Sequence, residues 1–154
     1  MTASLILAAG LFAAAPEPPA ADSPHAVYAD YFVSNKAGLA GAETFLVITR
    51  PAVFDSYFQL APPVGGGKRT PLPADAFDKG PVAAAVKRGT VAYTFKVAGV
   101  TLAGDTATVR YTADAQGAAG TATFASPLIV TLPKAATKVV FVENGKEVGT
   151  AEAK

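Results

Sequence analysis

The sequence predicts a mainly β protein: an antiparallel sheet, sandwich or partly open barrel, with one short helix packed on the sheet. Three observations predict it. Beyond residue 26 the apolar positions repeat mostly every second residue, β-branched and aromatic side chains fill the runs, and turn formers recur roughly every ten positions. The chain of 154 residues has the length of one ordinary domain, and its Val, Leu and Ile with nine Phe and five Tyr suffice for one core.

Taken in order, Leu5 to Ala15 is an unbroken apolar run followed by the Pro-rich stretch Pro16 to Pro24. A helix of that length covers about 16 Å, against roughly 30 Å of hydrocarbon, so it is too short to span a membrane. It matches the core of a secretory signal, with Ala13 and Ala15 at the −3 and −1 positions of one cut and Ala21 ending a second. Residues 1–21 are therefore expected to be a signal peptide, and 22–154 a single β-rich domain, exported to the periplasm or beyond the cell.

Ala26 to Val33 reads as a first strand with Tyr31 and Val33 on one face, Asn35 to Gly41 as a loop, and Glu43 to Thr49 as a buried strand. Next comes the one helix, Ala52 to Gln59. Thr49 can cap it, Pro51 suits its first turn, and Val53, Phe54, Tyr57 and Phe58 form its apolar stripe, with Asp55 and Ser56 toward water. Ala61 to Gly80 holds four of the twelve prolines and reads as a long loop with one helical turn near Asp75 to Phe77. Val82 to Lys87 is a strand whose alanines admit a close neighbour. Thr90 to Val100 and Thr106 to Thr112 form a hairpin, with Ala107, Val109 and Tyr111 facing inward. Ala113 to Gly120 reads as a loop and Thr121 to Leu132 as a strand interrupted by Pro127, which suits an edge or a bulge. Lys138 to Val142 and Glu147 to Ala151 flank Asn144-Gly145, the strongest hairpin signal present.

Composition removes several chemistries. Without Cys there is no thiolate metal site, cysteine nucleophile or disulfide, and a net charge of +1 gives no broad attraction for nucleic acid. His25 is the only imidazole and precedes the first strand, a poor place for acid/base or metal work. Asp75 and Asp78 suit a helix cap and a turn better than a paired-acid site. Gly65-Gly66-Gly67-Lys68-Arg69-Thr70 fails the phosphate-loop pattern, because Pro62 stands where its first Gly belongs and Arg69 where its Ser or Thr belongs. No catalytic residue, cofactor or metal is expected. The tyrosines and phenylalanines read as core, at strand and helix spacing.

Phe77-Asp78-Lys79, the strand Val82 to Val86, the turn Gly89 to Tyr93, the strands Thr94 to Val97 and Thr106 to Tyr111, Pro127 to Lys134 and Val139-Val140-Phe141 together resemble the C-terminal domain of PrcB-like proteins. The resemblance covers about Phe77 to Val142. Where the family's turn reads Thr-Gly-Gly-Tyr, Tyr93 here follows Thr90-Val91-Ala92. The resemblance implies an exported bacterial β domain that binds and stabilises a protease complex, and it brings no catalytic residue.

The expected function is thus a non-enzymatic protein-interaction module with a protein partner, a protease among the candidates. The docking sites are expected at a strand edge near Pro127 to Pro133 or on the loop Pro62 to Pro73. The candidate contact residues are Lys68, Arg69, Lys87, Arg88, Tyr93, Pro127 and Pro133. The alternative is a carbohydrate or cell-surface ligand binder using Tyr side chains beside the long loop.

Overall fold

Alternating apolar residues need a partner on each buried face, and this chain provides three layers for them. The computed structural model describes residues 20–62 and 67–153. Its strands are β1 (Ala21–Asp22), β2 (Tyr31–Val33), β3 (Glu43–Ile48), β4 (Phe58–Leu60), β5 (Val82–Gly89), β6 (Ala92–Ala103), β7 (Thr106–Gln116), β8 (Phe124–Thr131), β9 (Lys138–Glu143) and β10 (Lys146–Glu152). Two short helices, α1 (Pro51–Tyr57) and α2 (Ala76–Lys79), complete it. The mainly β class with a short helix on the sheet is what the sequence led us to expect.

One outer layer is the five-stranded sheet β1-β6-β7-β9-β10, the middle layer is the three-stranded sheet β3-β5-β8, and the third layer holds α1 with the β2-β4 pair. No closed barrel forms. The middle sheet is apolar on both sides. Val47, Ala83, Ala85, Leu128 and Val130 meet Val100, Val109, Val139 and Phe141 of the large sheet, while Ile48, Val82, Ala84, Val86 and Ile129 meet Val33, Phe54 and Phe58. Burial on both faces explains why Val82 to Val86 and Leu128 to Val130 are continuous apolar runs. Each of the larger side chains contributes roughly 1.5–3 kcal/mol by leaving water.

Most pairs are antiparallel, but β7 and β9 run parallel. After β7 the chain crosses to the middle sheet, lays down β8, and returns beside β7, so the two neighbours share a direction. The β9–β10 turn has Asn144 at φ 50° and Gly145 at φ 82°, the positive pair that a type I′ turn demands.

Several expectations need correction. The first strand is broken: Val27 bridges to Val130, the chain bends at Asp30, and only Tyr31–Val33 continues as β2. Arg50, not Thr49, occupies the helix N-cap position, and the helix ends at Tyr57 because Phe58 and Gln59 turn extended to pair with β2. Ala113–Gln116 belongs to β7, held by its register with Ala92 to Phe95. Asp75 sits at the N-cap of α2 without a capping bond and pairs instead with Lys79 at 2.7 Å; Asp78 lies inside that helix. Of the signal peptide expected over 1–21, residues 1–19 lie outside the described residues, and Ala21 already pairs with Leu102 in β1. A cut after Ala21 would remove one of the two residues of β1.

Candidate functional site

The large and middle sheets approach each other along two seams. At one, the β3 and β10 edges meet through a single bridge between Val47 and Ala153. A groove of about 640 Å³ opens there, lined by Phe45 to Arg50, Val53, Tyr57 and Thr150 to Glu152. At the other, the free edges of β6 and β8 face each other, and the lower half of this seam is closed by the chain's own segment from Ala21 to Tyr28. That strap bonds to the large sheet through β1 and through Ser23 N–H on Val100 O at 2.9 Å. It bonds to the middle sheet through Tyr28 N–H on Ile129 O and Thr131 N–H on Ala26 O, both 3.0 Å.

Antiparallel alternation fixes which groups face the seam. Leu132 donates to Pro81, so Leu132, Val130, Leu128 and Ser126 bond toward β5 while Thr131, Ile129, Pro127 and Ala125 turn their main chain outward. Pro127 therefore sits where its missing N–H costs β8 no bond to β5. The sequence-based expectation of an edge position is met.

The upper half of this seam is open. A groove of about 290 Å³ is lined there by Val27, Tyr31, Phe32, Tyr93, Phe95 and Pro127, with β8 from Ala125 to Ile129. Phe32 and Val27 are exposed, at 39% and 41%. Tyr93 N–H donates to Ser126 Oγ at 2.9 Å across the gap, which shows that Tyr93, Phe95 and Val97 direct their main chain toward the seam. The structure thus brings together two candidates from the sequence, Tyr93 and Pro127, and adds Val27, Phe32, Phe95 and Ala125. Phe32 was read as core; the alternation that put Tyr31 and Val33 inward already placed Phe32 on the opposite face.

Lys87 does not line this groove; its Nζ lies 5.1 Å from the ring centre of Tyr93, one of the lining residues, and its charge is spent inside the molecule. It pairs with Glu43 at 3.2 Å and with Glu143, tying the middle sheet to the large one. Burial alone would depress the Lys87 ammonium; the hydrogen bonds and charges of the two carboxylates outweigh it and raise its pKa. Burial above all pushes the Tyr111 phenol well above its ordinary range, and the charge and hydrogen bond of Glu143 add to this.

The other basic candidates serve the fold as well. Arg88 donates through Nη1 to Gly41 O at 3.0 Å and Thr44 Oγ1 at 3.1 Å, pinning the loop before β3. Arg69 pairs with Asp30 at 3.0 Å and donates to Pro62 O at 2.6 Å, and Thr70 N–H reaches the same carboxylate at 2.9 Å. The Thr70 N–H foremost, and then Arg69, hold the Asp30 carboxyl below its ordinary range against the opposing effect of burial. With Leu72 N–H on the Tyr31 hydroxyl at 2.8 Å, residues 69–72 are fastened to β2. The two basic pairs share none of these contacts, and only Lys68 is left exposed. Pro133 lies at the far end of β8, in a separate hollow with His25, Asp75 and Lys79. The β8 edge expected to be free from Pro127 to Pro133 is taken by the strap at Ile129 and Thr131, and is open only at Ala125 and Pro127.

Comparison with protein-family models, with curated proteins and with solved structures finds no match. Among the described residues, no helix is long and apolar enough to cross a membrane.

Proposed function

We propose that this is an exported, non-enzymatic module that docks a partner protein in the open half of the β6/β8 seam. One observation carries the reading: two sheet edges stand beside an apolar groove whose rim leaves Phe32 and Val27 exposed, while the neighbouring half of the same seam is covered. Exposed aromatic side chains next to Pro and unpaired main chain supply desolvation energy and direction together. Export is supported by the apolar run from Leu5 to Ala15 with Ala13 and Ala15 at its end. The resemblance to PrcB-like C-terminal domains makes a protease complex the first partner to try.

The test compares the full chain with Phe32→Ser/Tyr93→Ala as baits against the secreted and envelope fractions of its source organism. A defined protein retained by the unaltered chain and lost by the double variant is expected. Identical capture by both baits would overturn the reading. Specific sugar binding on a glycan array, with no protein retained, would favour the carbohydrate reading, which Tyr31 and Tyr93 at the groove keep testable.

A further inference from the structure

The hollow at the far end of β8 is a second concavity, of about 350 Å³, built where the strap, the segment leading into α2 and the end of β8 come together. Pro24, Pro73, Pro133 and Leu132 give it apolar walls, and the volume suits a small molecule. The Thr131 hydroxyl is already engaged, accepting from Ala26 N–H at 2.8 Å. Tyr28 is different. It is 8% exposed and its ring belongs to the core with Val82 and Ile129, yet its hydroxyl has no hydrogen-bond partner among the described residues. Tyr28 lies between the hollow and the docking groove. The Asp75 carboxylate foremost, with Tyr28 among the lesser contributors, raises the pKa of Lys79, which sets the Tyr28 oxygen on the side of the hollow. An enclosed hydroxyl left without a partner is costly, and the hollow is where a partner can reach it.

Two further polar features line the same hollow. His25 Nδ1 donates to Ser23 O at 3.0 Å, which leaves Nε2 of the neutral ring as an acceptor. Asp75 and Lys79 pair at 2.7 Å with both side chains more than half exposed, so the carboxylate keeps acceptor sites and the ammonium keeps donors. We propose that the hollow binds a free α-amino acid with a carboxamide side chain, independently of the docking groove. Its ammonium meets Asp75, its carboxylate meets Lys79, and its carboxamide bonds to the Tyr28 hydroxyl and to His25 Nε2. A ligand of single charge is attracted by one member of the Asp75–Lys79 pair and repelled by the other, whereas a zwitterion matches both. A carboxamide carries a donor and an acceptor on one group, as an imidazole nitrogen and a hydroxyl together require. The enclosed ring of Tyr28 offers no face for stacking, which argues against a sugar in this hollow.

The probe is L-glutamine, titrated calorimetrically onto the full chain beside N-acetyl-L-glutamine, which lacks the ammonium, and L-norvaline, which lacks the carboxamide. Glutamine is expected to bind, and each of the other two to bind at least fivefold more weakly. Tyr28→Phe keeps the ring and should weaken glutamine about five- to tenfold, the worth of one hydrogen bond, while leaving norvaline unchanged. Asp75→Asn, at an exposed position, should weaken glutamine and leave N-acetyl-L-glutamine unchanged. Because the strap forms one wall, glutamine should also slow amide exchange at the Tyr28 and Thr131 N–H groups that fasten it to β8. If Tyr28→Phe fails to fold, that exchange pattern in the unaltered chain decides. No binding of glutamine up to millimolar concentration, equal binding of the N-acetylated form, or protection confined to other parts of the chain overturns the proposal.

Discussion

Removing the Lys87 ammonium strands Glu143, whose side chain is only 11% exposed, between two sheets. Lys87→Met should cost about 3 kcal/mol in urea unfolding, because a carboxylate left buried and unpaired loses more than the pair itself contributes. Glu143→Gln in the same background should recover part of that loss. The folded pKa of Lys87 is raised above its ordinary 10.5, so its contribution is complete below that value and is lost as pH rises through the raised one. The alkaline limb of a stability profile should therefore be shallower in Lys87→Met. Asp30 has the opposite sign: its folded pKa lies below the ordinary 3.8, so its contribution is present above that value and disappears as pH falls through the depressed one. Profiles of the unaltered chain and Asp30→Asn should converge in acid. Neither partnership was visible in the sequence, since Lys87 lies far from Glu143 along the chain and Arg69 far from Asp30.

At the scale of elements, turns and edges were legible because their chemistry is local. Asn144-Gly145 announces its hairpin through the backbone conformation it permits, and Pro127 announces an outward main chain through the donor it lacks. Pro127→Ala should consequently leave thermal stability nearly unchanged, while Gly145→Ala, forced to adopt φ 82°, should lose about 1 kcal/mol. Gly80 is a different case. Its backbone is extended, but an added Cβ would lie 2.1 Å from Leu132 O, so Gly80→Ala must push α2 away from the end of β8 and should cost about 2–3 kcal/mol. Nothing in the neighbours of Gly80 along the chain foretells this, because the obstruction comes from a strand fifty residues later. The break at Asp30 was hidden for the same reason: Ala26 to Val33 alternates well enough for one strand, and the groups that take the Asp30 carbonyl and carboxylate, Ala61 N–H, Thr70 N–H and Arg69, lie far along the chain.

For the whole molecule, a middle sheet covered on both faces should be the last part to open. Amide exchange should be slowest over Val82–Val86 and Leu128–Val130, and distinctly faster along Phe95–Val97 at the open seam. A reversed order would contradict the three-layer packing. By itself the sequence determined the β class, most strand positions, both hairpins, the short helix and the lack of cysteine chemistry, because periodicity, turn residues and composition act over a few neighbouring positions. Only the tertiary structure decided that β7 and β9 lie parallel, that three of the four basic candidates are consumed internally, and that the strap covers one half of a seam and leaves the other open. Those outcomes depend on which distant edges and charges are brought together, and a hydrogen-bond donor or an ammonium carries no mark in the sequence of the partner it will meet.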